Sequence, residues 1–387
     1  MTDAGAHPRH KMRRRALIFW AILAALIFYT DFQGRFLFPG ASALSVAALT
    51  AGLFALFLGW QFWYRSHPGF IDSPWFGSLA WIGAVTMGVW AGFVLFSVPF
   101  DLAGLLGRGG GWLRPGSLRS GLAAAAAASA VIASMGLWQA LVGPTIKEVS
   151  LPFPKLPKDL SGLRIAQISD LHIGPMIRES YVRRVVDAVL SSKPDLIAIT
   201  GDLADGSVEK LRRPVEILRG LKAPLGVYFV TGNHDYYWGA GPWLKRVAEL
   251  GFIPLVDENR LLRRGNASIL IGGVADLQAP HFVSAHRSDP RRAADGKADL
   301  KILLAHRPES CLEAEPAGFD LQLSGHTHGG QFFPFSLIVR LVHRYCRGLY
   351  RHGRLWLYVS PGTGFWGPPH RFLIPAEVTL LRLEAAP

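Results

Sequence analysis

The sequence predicts an α/β protein in which a membrane region of four helices precedes a folded α/β domain. Half of the residues are hydrophobic (50%), the mean hydropathy is +0.24, and the apolar excess lies in the first 145 residues. Of the 28 acidic residues, only Asp3, Asp31, Asp72 and Asp101 precede Lys147. Beyond this break, short apolar runs alternate with polar clusters, as strands alternate with loops in an α/β fold.

The membrane helices are predicted from four long apolar segments. They lie near residues 16–32, 41–64, 75–100 and 121–142. The last three reach the roughly 17–25 residues of a bilayer span and contain no charged side chain. The first is shorter, and it does not fit a cleavable leader because no clear small-residue cleavage site follows it. We therefore assign residues 1–146 to a transmembrane region of an integral membrane protein.

Basic residues predict the orientation of this region. The N-terminal tail carries Arg9, Lys11 and 13–15, which favours a cytoplasmic start. Four crossings return the chain to the cytoplasm, so we expect the α/β domain on the cytoplasmic face of a bacterial inner membrane. The loop around Arg108 and Arg114 would then lie outside, against the same rule. The opposite orientation follows if one segment does not span.

The overall charge predicts anionic partners. The net charge is +13, and the part from Lys147 onward has 31 basic and 24 acidic residues, an excess of seven. Such a domain beside a bilayer attracts anionic lipid and phosphate-containing substrates. No recognisable nucleic-acid motif is present, so no nucleic acid is expected as a partner. Cys311 and Cys346 have neither metal-site nor disulfide-framework spacing.

The remainder divides into a linker and the α/β domain. Residues 147–162 contain three prolines and are predicted to be an extended linker, and residues 163–387 form the α/β domain. Strands are predicted at 163–169, 196–200, 227–231, 301–305 and 319–324. A helix is predicted at 178–192, because Val182, Val185 and Val189 lie on one face.

Five short polar stretches follow most of these apolar runs. They read Asp170-Leu171-His172, Gly201-Asp202-Leu203-Ala204-Asp205, Gly232-Asn233-His234-Asp235, Ala305-His306-Arg307, and Gly325-His326-Thr327-His328-Gly329-Gly330. Imidazole nitrogen and carboxylate oxygen bind divalent transition metals, and an Asp can bridge two cations. Two metals about 3.5–4 Å apart clamp the attacking and leaving oxygens of a phosphoryl displacement and generate hydroxide near neutral pH. The five stretches together predict a two-metal phosphate-cleaving site.

The same stretches resemble the calcineurin-like metallophosphoesterases, whose pattern is D-x-H, G-D-x-x-D, G-N-H-[DE], a lone H and G-H-x-H. The terminal Gly325–Gln331 run, GHTHGGQ, is similar to a bacterial branch with membrane-associated phosphodiesterases and UDP-diacylglucosamine hydrolases. The resemblance covers roughly 163–383 and implies a four-layer α/β/β/α domain. It implies that Leu355–Ser360 and Glu377–Leu383 complete the second sheet.

The resemblance also implies the role of each site residue. Asp170, His172 and His328 would hold one metal; Asn233, His306 and His326 the other; and Asp202 would bridge the two. His234 would be catalytic, protonating the leaving oxygen or stabilising its charge. Asp205 and Asp235 are interpreted either as supports for these residues or as turn residues. The two divalent ions could be manganese, iron or zinc.

These expectations predict a hydrolase, a membrane-anchored phosphoesterase in which a metal-bridging hydroxide attacks a phosphodiester or pyrophosphate. A lipid-linked substrate is favoured, which would place the enzyme in lipid metabolism. Two alternatives stay open, a phosphodiesterase for soluble diesters and a metal-dependent membrane sensor without turnover. Residues 332–354 combine apolar and arginine side chains. They are either an ordinary loop and helix packed on the core or a cationic flap that enters the membrane interface. His343 and His352 there are candidates for contact with substrate phosphate.

Overall fold

The computed structural model describes residues 28–33, 40–42, 44–45, 47–48, 51–52, 74–109, 115–333 and 335–385. The chain divides into two compact units. One comprises residues 1–67 and 78–133, and the other comprises residues 68–77 and 134–387. The predicted helices near 16–32 and 41–64 lie largely outside the described residues.

The first unit contains most of two long helices, α1 (Pro74–Gly109) and α2 (Pro115–Val142). Within the described residues, two helical segments have the length and apolar composition of a membrane span, Trp81–Ala103 and Ser120–Val142. They correspond to the predicted segments at 75–100 and 121–142. A Cβ atom placed on Gly92 of α1 would lie 3.6 Å from Ser129 Cβ of α2, so the two helices pack closely there.

The second unit contains two six-stranded sheets. The strands of the first sheet are β1 (Thr145–Phe153), β2 (Arg164–Ile168), β3 (Leu196–Thr200), β4 (Val227–Val230), β5 (Ile253–Pro254) and β12 (Glu377–Ala385). Those of the second are β6 (Glu258–Arg264), β7 (Ala267–Gly273), β8 (Leu300–Leu304), β9 (Leu321–Ser324), β10 (Gly348–His352) and β11 (Leu355–Val359). The first sheet has the order β1-β12-β2-β3-β4-β5 and the second β10-β11-β9-β8-β7-β6.

The described part of this unit also contains short helices. They are α3 (Glu179–Ser191), α4 (Arg212–Glu216), α5 (Asn233–Tyr237), α6 (Ala240–Glu249), α7 (Pro290–Ala293), α8 (Cys311–Ala314) and α9 (Phe335–Val342). The predicted helix at 178–192 is confirmed as α3, with Val182, Val185 and Val189 buried. Single 3-10 turns occur at Lys158–Leu160, Ile217–Gly220, Ala279–His281, Pro308–Ser310 and His328–Gly330.

Three apolar layers hold these elements together. The central layer lies between the sheets and includes Ile165, Tyr228, Ile302 and Tyr358. A second layer joins the first sheet to α3, α4 and α6, and a third joins the second sheet to α7 and α8. Such burial, at about 25 cal/mol per Å² of apolar area, is the main stabilising contribution. The layers follow the order α/β/β/α.

The structure differs from the sequence predictions at two strands. Glu377–Leu383 belongs to the first sheet, where β12 pairs parallel with β1 and antiparallel with β2. The segment 147–162, predicted to be a linker, contributes β1 to the same sheet. Pro152 is compatible with β1 because this strand lies at the sheet edge, where a missing N–H breaks no interior ladder.

Candidate metal centre

The predicted site residues meet where parallel strands of both sheets end. Asp170 and His172 follow β2, Asp202 follows β3, Asn233 and His234 follow β4, His306 follows β8, and His326 and His328 follow β9. Gln167 of β2 ties the strand ends together, because its Nε2 donates to Thr200 Oγ1 and to the Ser324 carbonyl, each at 2.9 Å. Loops at the carboxyl ends of strands are the usual place for a site in α/β folds.

The backbone at this edge has an unusual conformation. Five site residues have positive φ: Asp170 (52°), His172 (49°), Asp202 (51°), His326 (70°) and His328 (51°). For residues other than glycine, such a conformation costs on the order of 1–3 kcal/mol each and persists only where the surroundings enforce it. The backbone conformation that turns these side chains towards one point therefore lowers the stability of the fold.

Two glycines allow the loops to approach each other. A Cβ on Gly325 would lie 2.1 Å from Asp170 Oδ2, and a Cβ on Gly232 would lie 2.2 Å from Asp202 Oδ1. Real side chains do not tolerate such distances. Glycine is therefore required at both positions for the carboxylates to occupy their present places.

The first group of candidate ligands consists of Asp170, His172 and His328. Their ligand atoms lie within 4.8 Å of one another. His172 Nε2 is 3.1 Å from His328 Nε2, and His328 Nε2 is 3.4 Å from Asp170 Oδ1. Two imidazole nitrogens and a carboxylate oxygen that converge in this way form a donor set suited to a divalent transition metal.

The second group consists of Asp202, His306 and His326, whose ligand atoms also lie within 4.8 Å of one another. Asp202 Oδ2 lies 3.3 Å from His306 Nε2 and 3.7 Å from His172 Nε2. Asp202 thus reaches both groups, as a bridging ligand must. Asn233 is buried in the first turn of α5, next to the loop that carries Asp202.

Two buried polar atoms indicate that this arrangement fits a cation. Asn233 Oδ1 and His306 Nε2 are among the buried side-chain atoms of the described residues that have no hydrogen-bond partner. An unsatisfied buried acceptor costs roughly 1–3 kcal/mol. Both atoms belong to predicted metal ligands, and a cation would satisfy them. The residues present therefore fit the second metal as well as the first.

Hydrogen bonds to the outer nitrogens fix the orientation of two imidazoles. His306 Nδ1 lies 2.8 Å from the Thr200 carbonyl, to which it can only donate. His172 Nδ1 lies 3.1 Å from Asp205 Oδ2. In each ring the Nε2 lone pair is then directed towards the cluster, which is the usual support for a metal-binding histidine.

Burial and neighbouring charges shift the pKa values of several titratable groups in the site. Burial opposes the charge on Asp202, but His306 and His234 outweigh it and hold its pKa well below the usual range. Burial and the neighbouring His306 lower the pKa of His326 to about 2. Burial and His172 likewise hold the pKa of His328 well below its usual value. The ionised carboxylate of Asp202 and the neutral imidazoles of His326 and His328 are the forms that bind metal.

His234 lies beside the two groups and is held by Asp205. Its Nδ1 is 2.6 Å from Asp205 Oδ1, and its ring centroid is 4.7 Å from that of His172. Burial lowers the pKa of His234, but Asp205 and Asp202 outweigh it and raise that pKa to about 9. The ring therefore carries a proton at neutral pH that it could donate.

The two aspartates with open interpretations are both structural supports. Asp205 bonds His172 and His234, as described. Asp235 accepts N–H groups from Gly232 at 2.7 Å, Asp202 at 3.0 Å and Leu203 at 3.1 Å. It therefore clamps the loop after β3 to the loop after β4, and neither aspartate is merely a turn residue.

Residues 163–330 match the family model of calcineurin-like phosphoesterases. A relative from Aquifex aeolicus, named an uncharacterized metallophosphoesterase, is 34% identical over 245 residues, which cover 62% of this chain and 91% of that protein. This chain belongs to the calcineurin-like phosphoesterase family.

Two longer relatives also align with this chain. A zebrafish (Danio rerio) protein named transmembrane protein with metallophosphoesterase domain is 37% identical over 268 residues, or 67% of this chain. A Helicobacter pylori protein named uncharacterized metallophosphoesterase is 38% identical over 258 residues, or 64% of this chain. The chain spans 61% and 66% of the lengths of these two relatives.

The mouth of the candidate metal centre contains residues that lie outside the five sequence motifs. The rings of Tyr237 and Trp366 have centroids 5.1 and 5.6 Å from that of His234, and each side chain is nearly half exposed. His343 also borders the site, with its ring centroid 6.1 Å from that of His326. His352 instead bonds Tyr345 Oη through Nδ1 at 2.7 Å.

The buried guanidinium of Arg371 also contacts the site, although no sequence motif predicts this contact. Arg371 is fully buried, with Nη1 donating to the Pro361 carbonyl and Nη2 donating to the Gly364 carbonyl. Nη2 also lies 3.3 Å from His328 Nδ1. It therefore fixes the 361–364 loop against a candidate metal ligand. An isolated arginine within Pro368–Leu373 gives no sequence signal of this role.

Proposed function

We propose that this protein is a membrane-anchored two-metal phosphoesterase that hydrolyses a phosphodiester or pyrophosphate. The observation that carries the proposal is the position of Asp202, whose Oδ2 reaches His306 and His172, one from each ligand group. Asp170, His172 and His328 would hold one ion, and Asn233, His306 and His326 the other. Two divalent cations there would polarise a phosphoryl oxygen and lower the pKa of a water to near neutrality.

The chain's own residues supply the remaining chemistry. His234 lies outside both ligand groups but beside them, so its imidazole can face the leaving oxygen of a bound phosphoester. Asp205 accepts a hydrogen bond from Nδ1 and keeps the proton of Nε2 available for transfer. Proton transfer by such a group contributes about 10²–10⁴-fold to a rate.

Anchoring in a bilayer is supported by the span-length helices α1 and α2, and by the zebrafish relative's name. We extend this proposal to four spans, with the predicted segments 16–32 and 41–64 completing the set. The catalytic unit would lie on the cytoplasmic face of a bacterial inner membrane. Labelling of Leu261→Cys on β6 by a membrane-impermeant maleimide in intact cells would contradict this orientation.

A lipid-linked phosphoester is the substrate class that we favour. Residue Thr145, where β1 begins, lies three positions after the last residue of α2. A catalytic unit tethered this closely to a bilayer would act on phosphate groups at its surface. The branch with a GHTHGGQ motif would be consistent with such a substrate.

A soluble diester is the second candidate, and one observation favours it. The half-exposed rings of Tyr237 and Trp366 beside His234 could stack on an aromatic leaving group. For the same reason bis-p-nitrophenyl phosphate is a suitable assay substrate.

The test is diesterase activity of the full chain in detergent after metal stripping, with Mn²⁺, Fe²⁺, Zn²⁺ or Mg²⁺ returned singly. At least one ion should restore turnover. His234→Ala should keep both ions and lose on the order of 10²–10⁴ in kcat, whereas the exposed His281→Ala serves as the matched control. Two bound ions without turnover on soluble or lipid diesters would instead favour a metal-dependent sensor.

A further inference from the structure

The helix α9 presents apolar side chains to solvent along most of its length. Ser336 is its one buried residue in the described structure. Its exposed large side chains are Phe335, Leu337, Ile338, Leu341 and Val342. Leu341 is 88% exposed and Val342 is 74% exposed. Most of this helix is therefore not packed on the core, which was one of the two interpretations of residues 332–354. Contiguous exposed apolar surface of this kind marks an interaction site.

The beginning of α9 lies beside the last turns of α2, which belong to the same compact unit. His370 packs so closely on α2 that a Cβ on Gly136 would lie 2.0 Å from His370 Nδ1. The Phe332 ring contacts His370, with centroids 4.6 Å apart, and stacks on Phe335 at 5.8 Å. Two ring contacts therefore connect the end of a span-length helix to the first residue of α9.

The other end of α9 lies at the metal centre. His343 directly follows Val342, and its N–H donates to the Val339 carbonyl at 2.8 Å, which extends the helix by one bond. The His343 ring is 6.1 Å from the ring of His326, a candidate ligand. At 1.5 Å per residue, eight helical residues extend about 12 Å. The apolar face of α9 thus extends from the end of α2 to the mouth of the site.

Three arginines lie in α9 or shortly after it. Arg340 and Arg344 are exposed and Arg347 is half-buried. None of the three takes part in an ion pair among the described residues, although Arg344 lies 5.3 Å from the Tyr345 ring. A short helix with an apolar face and neighbouring unpaired cations fits the interface of a bilayer that contains anionic lipid. An apolar face of a protein partner would not satisfy these charges.

We propose that α9 inserts into the membrane interface, with Leu337, Ile338 and Leu341 among acyl chains and the arginines at anionic headgroups. The inference deepens the proposed function, since it rests on anchoring of the chain by α2. Its consequence is that the metal centre opens directly onto the bilayer surface. A phosphoester carried by a lipid would then reach the site without leaving the membrane.

The test is site-directed fluorescence of the full chain, reconstituted in vesicles of phosphatidylcholine and phosphatidylglycerol. Leu341→Cys carries an environment-sensitive nitrobenzoxadiazole label, and Val342→Cys provides a second labelled variant. The native thiols of Cys311 and Cys346 are buried, and the chain without an added cysteine measures their background. The matched control is Leu261→Cys on the edge strand β6, where the leucine is 53% exposed.

The expected result is a blue-shifted emission at residue 341, with quenching by spin-labelled lipid at least about twofold stronger than at residue 261. Omitting phosphatidylglycerol should weaken this quenching, because the arginines then lose their anionic partners. Equal, water-like emission at residues 341, 342 and 261 would overturn the proposal.

A blue shift at residue 341 that persists in detergent, without quenching by lipid labels in vesicles, would also overturn it. That pattern would mean that a second copy of the chain or another protein covers α9. The readout does not depend on turnover. A chain that fails the diesterase assay can therefore still show insertion of α9, and an active enzyme can still fail to show it.

Discussion

Asp205 joins the candidate catalytic histidine to a candidate metal ligand: its Oδ1 lies 2.6 Å from His234 Nδ1. Its other oxygen lies 3.1 Å from His172 Nδ1. Burial favours the neutral acid, but His234 and His172 outweigh it and hold the pKa of Asp205 below its usual range. A single ionised carboxylate therefore orients a proton donor and a metal ligand together.

The first prediction concerns this carboxylate. Asp205→Asn keeps the shape of the side chain but removes the charge that orients both imidazoles. Loss of such a support typically costs about 10–100-fold in activity or metal affinity. We expect kcat for bis-p-nitrophenyl phosphate to fall by this factor, while metal analysis still finds two ions at saturating metal. The exposed Asp187→Asn on α3 is the control, and equal kcat for both variants would contradict the role assigned to Asp205.

A second prediction concerns the close approach of Gly325 to Asp170. Gly325→Ala would place a Cβ 2.1 Å from Asp170 Oδ2, so the carboxylate must move and the first ligand group should lose its ion. Elemental analysis should find less than the full metal content. The matched change is Gly241→Ala in α6, where nothing lies within 4 Å of the added Cβ. This control should keep its metal and gain about 0.4–1 kcal/mol in the free energy of unfolding.

A third prediction concerns stability after metal removal. Most of the candidate ligands are buried, and Asn233 Oδ1 and His306 Nε2 lack hydrogen-bond partners, so bound ions should stabilise the native state. One ion at 100 times its Kd contributes about 2.7 kcal/mol. For a domain of this size, each kcal/mol raises the melting temperature by about 2–4 °C.

When a chelator is added, we expect the melting temperature to fall by about 5–10 °C for each ion that is lost. Addition of the preferred metal should reverse it. Asp202→Ala should melt at the same temperature with and without chelator, because its bridging ligand is absent. An unchanged melting temperature in the wild-type chain would mean that the ions bind weakly or not at all.

The positions of the candidate ligands could be predicted because each belongs to a short motif directly after a strand. The convergence of Asp170, His172 and Asp202 follows from the parallel pairing of β2 and β3. The apolar runs in the sequence predict these two strands. The placement of β12 could not be predicted, since its apolar residues do not indicate which sheet the strand joins. Its register with β1 and β2 depends on contacts distant in sequence.

The strand within segment 147–162 could not be predicted because of the prolines in this segment. Their number favours a linker, but Pro152 lies in the edge strand β1, where a missing N–H is tolerated. Arg371 and Trp366 illustrate a different limit. Their contacts with His328 and His234 are set by the 361–373 loop, whose path depends on tertiary packing rather than on a local pattern.

We propose that Asp202 would bridge two metal ions, and electron paramagnetic resonance of the Mn²⁺-loaded full chain tests this bridging most directly. Two ions about 3.5–4 Å apart should give the multiline spectrum of a spin-coupled pair, with two Mn²⁺ bound per chain. Asp202→Ala should lose this spectrum together with turnover. An isolated six-line Mn²⁺ signal from the wild-type chain, at one ion per chain, would contradict the account.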